Sequence, residues 1–127
     1  MPEALRRWFV LHFVVDLLFA IPLMLAPEWS LGLIGWAPVD PVAVRLVAAA
    51  LFAIGIESYL GRNAGPEAYS DMLNLKIIWS AGAVLALALG LLAGRQPAWA
   101  LALLLSIFLA FNLVWIYWRL HLARQAD

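Results

Sequence analysis

Four long apolar runs follow one another along the chain, separated by short polar segments. They cover residues 8–26, 42–60, 72–93 and 97–120. Each run is close to the roughly 20 residues that cross about 30 Å of hydrocarbon as an α-helix. Because hydrocarbon offers no water to backbone polar groups, a helix is the conformation that satisfies them within one segment. The pattern predicts an all-α, polytopic membrane protein: an antiparallel four-transmembrane-helix bundle that forms one domain over residues 1–127.

Turn and capping residues mark the breaks between these runs. Asp40 precedes Pro41, which predicts an N-cap followed by a proline at the first helical position. Residues 61–66 combine glycine, proline and polar side chains, which is typical of a loop. The connection at residues 94–97 is so short that the third and fourth helices are expected to pack antiparallel.

The segment at residues 29–39 is mostly apolar, although it only connects the first two helices. It is too short to span a membrane. We interpret it as a short helix that lies in the membrane interface. A loop packed over the end of the bundle is the alternative.

The composition supports a membrane protein and argues against several other classes of protein. Hydrophobic residues make up 66% of the chain and charged residues 13%, against about 45–50% and about 25% in soluble domains. Eight basic and eight acidic residues give a net charge of zero, so no basic excess favours nucleic acid. The absence of cysteine excludes disulfides and thiolate catalysis.

Arginine is distributed unevenly between the two ends of the predicted helices. One end carries Arg6, Arg7, Arg62, Arg119 and Arg124; the other carries Arg95, with Arg45 just inside the second helix. Cytoplasmic flanks carry the excess of basic residues. The sequence therefore predicts a multi-pass protein of a cell membrane, with both termini in the cytoplasm.

Polar side chains from all four runs are expected at similar depth, in the inner half of the bundle. His12 and Asp16 are four residues apart, which places them on one face of a helix. At about 1.5 Å per residue, His12, Glu57 and Lys76 each lie roughly 7 Å inside the inner boundary. The candidate ligand-binding or ion-path residues are His12, Asp16, Glu57, Asn74, Lys76, Ser80 and Asn112.

Charged groups in hydrocarbon need partners, since each costs about 2.5–3.5 kcal/mol on insertion scales. We expect Lys76 to pair with Asp16 or Glu57, with His12 or a carboxyl proton balancing the remaining charge. Such a network either fixes helix register or forms a functional site. Both readings stay open from the sequence alone.

Cofactors and metals are not expected, and an enzyme is the less favoured class, because no catalytic or nucleotide-binding motif is present. Haem between His12 and His121, and a metal held by His12, Asp16 and Glu57, are minor alternatives. Arg45 stands apart near the outer end of the second helix, as a possible outer-side site.

Three stretches carry a resemblance: Leu-Ala-Pro-Glu at 25–28, Leu-Gly-Leu-Ile-Gly-Trp at 31–36, and the run from Val-Arg-Leu to Ala-Ile-Gly at 44–55. Over roughly residues 10–93 the chain resembles the DoxX-like group of small bacterial four-helix membrane proteins. The resemblance implies a four-helix membrane fold and, by position, gives Arg45 as the family-type arginine. Some members of that group are membrane subunits of quinone-linked oxidoreductases.

Three functions are compatible with these features. The leading hypothesis is a protein whose inner-half polar pocket binds a small or amphiphilic ligand, such as a lipid, or docks a partner membrane subunit. The second is a proton- or ion-coupled transporter or channel that acts as a homo-oligomer. The third is a membrane anchor of a quinone-linked redox complex, which touches quinone through Arg45 or His12.

Overall fold

The computed structural model describes residues 1–126, and within them it contains helices and no strand. The helices are α1 (Glu3–Leu25), α2 (Pro27–Gly32), α3 (Pro41–Leu60), α4 (Pro66–Ala93) and α5 (Ala98–Ala126). Within the described part, four helices are long and apolar enough to cross a membrane, namely α1, α3, α4 and α5. This confirms the all-α fold class and fits a multi-pass helical membrane protein.

The helices extend beyond the apolar runs that predicted them. α1 begins at Glu3 rather than at residue 8, and α4 begins at Pro66 rather than at residue 72. α5 continues to Ala126, six residues past its predicted end. Helical hydrogen bonds join backbone groups and do not require apolar side chains, so helices continue into their polar flanks.

The start of α3 is capped as its sequence predicts. Asp40 Oδ1 accepts hydrogen bonds from the backbone N–H groups of Val42 (3.0 Å) and Ala43 (3.2 Å). Pro41 occupies the first turn, where a backbone N–H would have no intrahelical acceptor, so the lack of an N–H costs no helical hydrogen bond. These bonds satisfy donors that would otherwise lack a helical partner.

The apolar linker is only partly helical. α2 occupies residues 27–32 and is followed by a turn, so the predicted short helix is present but begins before residue 29. Ser30 Oγ donates to the carbonyls of Ala26 (2.6 Å) and Pro22 (3.0 Å), which ties α2 to the end of α1. Trp29 and Leu33, one turn apart, are both exposed.

The chain forms two compact units, Met1–Ala64 and Gly65–Asp127. In the first, α1 and α3 pack against each other and α2 contacts both. α1 and α3 are antiparallel: Phe13, in the first half of α1, contacts Tyr59, near the end of α3, with ring centroids 4.8 Å apart. The prediction of a single domain over residues 1–127 stays a prediction.

The second unit is a hairpin of α4 and α5, as the short connection predicts. Gly94 ends α4 in the left-handed conformation (φ 68°), which glycine adopts without a steric penalty. Leu101 lies beside Gly90 near this turn, and Arg119 Nε donates to Asn74 Oδ1 (2.9 Å) at the other end. The two helices are therefore antiparallel along their length.

The first helix of each unit buries a stripe of residues with the same spacing. In α1 the buried residues are Leu5, Phe9, His12, Asp16 and Ala20; in α4 they are Tyr69, Leu73, Lys76 and Ser80. Residues spaced by three and four positions lie on one face of a helix, and this is the face that packs against neighbouring helices. In both helices the third and fourth residues of the stripe are polar.

The opposite faces are strongly apolar and exposed. Leu18 is 69% exposed, Ile78 71% and Leu92 84%. Water would disfavour so much exposed leucine and isoleucine, whereas hydrocarbon does not. These faces are suited to contact lipid.

Candidate functional site

His12 and Asp16 form a buried ionisable pair inside α1. His12 Nε2 lies 3.3 Å from Asp16 Oδ1, and each residue is only 5% exposed. The helix brings them together because residues four apart are neighbours on its surface. The pair can hold a proton on the ring or on the carboxyl, and it offers both a donor and an acceptor to a bound group.

Gly55 gives Asp16 room against α3. A Cβ atom built on Gly55 would lie 2.8 Å from Asp16 Cβ and 3.3 Å from Asp16 Oδ2. Any side chain at position 55 would therefore displace Asp16 or push the two helices apart. Ser58, one turn along the same face, is buried and donates to the carbonyl of Ile54 (2.8 Å).

Lys76 is the corresponding buried cation of the second unit. It is 2% exposed, and its Nζ lies 4.9 Å from the ring centroid of Trp115 on α5. An ammonium group within about 6 Å of an indole face is attracted by the ring quadrupole. Trp115, itself buried, thus stabilises the charge inside the hairpin.

Ser80 and Asn112 connect α4 to α5 by side-chain hydrogen bonds. Asn112 Nδ2 donates to Ser80 Oγ (2.9 Å) and to the carbonyl of Ile77 (3.1 Å). Ser80 Oγ in turn donates to the carbonyl of Lys76 (2.7 Å). Both side chains are buried. The polar positions predicted on these two helices are therefore joined in one network within the second unit.

Two predicted site residues are exposed, which corrects the expectation that they are buried, and their role in a ligand-binding or ion-path site stays a prediction. Glu57 is exposed on α3, and the next residue, Ser58, takes the buried position. A rotation of one position, about 100°, separates the face that packs from the face that does not. Asn74 is also exposed, where its Oδ1 accepts from Arg119.

Arg45 has a structural partner at the end of α1. Its Nε donates to the carbonyl of Met24 (2.9 Å), which lies in the last turn of the helix. Carbonyls there have no intrahelical donor, and a cation at this end also suits the helix dipole. This bond gives Arg45 a role in joining α1 to α3, and its role as an outer-side site stays a prediction.

The alternative of a metal ion held by His12, Asp16 and Glu57 is not supported by the positions of these three side chains. In the described residues, no group of three or more histidine, cysteine or acidic side chains is placed to hold a metal ion. Glu57 is exposed, whereas His12 and Asp16 are buried. His121, the second histidine weighed for haem, lies in α5 with its Nε2 3.2 Å from Gln125 Nε2. Pairing of Lys76 with Asp16 or Glu57 would join the two units and stays a prediction.

Comparisons with known proteins add no relative. The chain matches no family model, no curated protein and no solved structure. The resemblance to the DoxX-like group therefore stays a prediction.

Sequence reasoning missed three residues that shape the sites: Gly55, Ser58 and Trp115. Gly55 and Trp115 are recognisable only once the opposite residue is known, because glycine and tryptophan are common throughout the apolar runs. Ser58 is one residue from Glu57, and the sequence does not show which of the two is buried.

Proposed function

We propose that this chain is a multi-pass membrane protein whose buried ionisable groups bind a small polar or amphiphilic ligand. The observation that carries the proposal is the His12–Asp16 pair, which is buried in a part of α1, residues 8–25, that is otherwise apolar. Ionisable groups at membrane depth are costly and usually line a ligand or ion site. An imidazole beside a carboxylate supplies a donor and an acceptor, which suits a ligand with hydroxyl, amine or amide groups.

The experiment compares two carboxylates of the same hairpin. Asp16→Asn removes the buried acid with little change in volume, and Glu57→Gln makes the same chemical change at an exposed position. Each full-length protein is purified in mild detergent and analysed by native mass spectrometry for retained small molecules, with thermal unfolding measured in parallel.

The parent protein and Glu57→Gln are expected to retain the same bound species, and Asp16→Asn is expected to lose it while remaining helical. Equal retention by Asp16→Asn and the parent, with equal melting temperatures, would contradict the proposal. A species lost only from Glu57→Gln would move the site to the exposed face of α3.

Proton-coupled transport is the second candidate, and the 3.3 Å contact between His12 and Asp16 favours it. A histidine beside a carboxylate is a common element of proton relays in membrane transporters. In liposomes with an imposed pH gradient, the parent protein should then move protons, and Asp16→Asn should abolish the flux. Absence of flux from the parent protein, together with a retained ligand, favours binding over transport.

The proposed location is the cell membrane, with both termini in the cytoplasm, on the basis of the arginine distribution. The chain has no cysteine, so a single introduced thiol reports its own side. Asn63→Cys and Gln125→Cys are expected to resist an impermeant maleimide in intact cells, whereas Arg95→Cys is expected to react. The reverse labelling pattern contradicts this orientation.

The assembly is proposed to be a homo-oligomer or a complex with a partner membrane subunit. The wide apolar faces of the helices are compatible with either arrangement, as they are with lipid. The masses of the intact complexes in the same native mass spectrometry experiment distinguish the two arrangements.

A further inference from the structure

We infer that the first turns of α1 form a binding groove for one anionic phospholipid. An open depression of about 450 Å³ lies there, lined by Glu3, Ala4, Arg7, Trp8 and Leu11. The inference rests on α1 crossing the membrane and is independent of the His12–Asp16 pair, which lies on the buried face.

The shape follows from the spacing of these residues. Glu3, Arg7 and Leu11 are four residues apart and form one ridge along the helix, and Ala4 and Trp8 form the next. Ala4 has the smallest side chain of the five, so the second ridge is low at this position and leaves space beside Glu3 and Arg7. From residue 3 to residue 11 the helix rises about 12 Å. This length accommodates a headgroup and the first carbons of an acyl chain.

Glu3 and Arg7 both line the groove, and Arg6 beside it adds the positive charge that favours an anionic headgroup at this end of α1. Arg6 Nη1 lies 3.9 Å and Arg7 Nε 3.7 Å from oxygens of the same Glu3 carboxylate. Two guanidinium groups therefore share one acid, and one positive charge is left at this end of α1. The Arg7 side chain is 80% exposed and lines the groove, which leaves its remaining donors open to a phosphate.

The lower part of the groove suits an acyl chain. Trp8 is half-buried and has an apolar body with one polar N–H, which favours the boundary between headgroups and hydrocarbon. Below it, Leu11, Val14 and Leu18 are exposed and continue an apolar surface along the helix. A phospholipid thus meets a cation at the top of the groove and leucine below.

The experiment titrates the full-length protein in detergent with phosphatidylglycerol or with phosphatidylcholine of the same acyl chains and counts bound lipids by native mass spectrometry. Arg7→Gln removes the cation from the groove, and Ala4→Leu fills the groove without changing charge. Arg124→Gln removes an exposed arginine of α5 and is the matched control.

Phosphatidylglycerol is expected to bind more tightly than phosphatidylcholine. Arg7→Gln should weaken its binding about fivefold, the factor that corresponds to about 1 kcal/mol per basic residue near an anionic surface. Ala4→Leu should weaken both lipids, and Arg124→Gln neither. If Arg7→Gln does not fold, Ala4→Leu decides the outcome.

Three results overturn the inference. They are equal binding of the two lipids by the parent protein, equal weakening by Arg7→Gln and Arg124→Gln, and unchanged binding in Ala4→Leu. A protein dimer that Ala4→Leu dissociates would assign the groove to a second copy of the chain and would overturn it as well.

Discussion

The Cβ of Asp16 lies only 2.8 Å from the point where a Cβ on Gly55 would be. The carboxylate of α1 is therefore packed directly on the backbone of α3. Real Cβ atoms do not approach so closely, so the helices hold this geometry only with glycine at position 55. The buried acid and the glycine on the facing helix form one structural unit of the first hairpin.

Gly55→Ala should destabilise the first hairpin by about 1–3 kcal/mol, because the added methyl group overpacks a tight contact. Gly82→Ala is the matched control, since a Cβ there meets nothing within 4 Å. Alanine in a helix interior is favoured over glycine by about 0.5–1 kcal/mol, so the control is expected to be neutral or slightly stabilising. Thermal unfolding in detergent measures both. Equal melting temperatures for the two variants would show that α1 and α3 are not in close contact at Gly55.

The Ser80–Asn112 hydrogen bond should appear as a coupling energy in a double-mutant cycle. Ser80→Ala, Asn112→Ala and the double variant are expected to give about 0.6 kcal/mol and at most about 1.7, the range for such bonds within membranes. Ser106 is the control, because its hydroxyl bonds only along its own helix, to the carbonyl of Ala102. Ser106→Ala and Asn112→Ala should be additive. A coupling of zero between Ser80 and Asn112 would refute the observed contact.

Asp40→Ala should cost about 1 kcal/mol through loss of the N-cap of α3, and Asp40→Asn much less, because asparagine also accepts from the backbone. Hydrogen exchange at the amides of Val42 and Ala43 localises the effect, since these two donate to Asp40. Faster exchange there in Asp40→Ala, but not in Asp40→Asn, is the expected result. Identical exchange in all three proteins would mean that Asp40 does not cap the helix.

The parts of the fold that depend on local chemistry were predictable from the sequence. Asp40 predicts a helix start because its carboxylate accepts hydrogen bonds from the first backbone N–H groups, and Pro41 fits the first turn because it has no N–H. The four-residue spacing of His12 and Asp16 places them side by side on any α-helix. Neither inference requires knowledge of a neighbouring helix.

Helix rotation was not predictable, and Glu57 shows why. In a soluble helix the polar face marks the outside, but in this chain the exposed faces are apolar and the packed faces combine apolar with a few polar side chains. Whether position 57 or 58 turns inward is then decided by packing between α1 and α3. Gly55 lies against Asp16, and Glu57, two residues and about 200° further round the helix, is exposed.

The division of the chain into two helical hairpins suits insertion into a bilayer one hairpin at a time. A hairpin that crosses twice returns to the side from which it started, so both ends of each hairpin would lie on the same side of the bilayer. Each hairpin carries its own arginines at its open end, Arg6 and Arg62 in one and Arg119 in the other. Each half therefore has the features of a self-contained insertion unit.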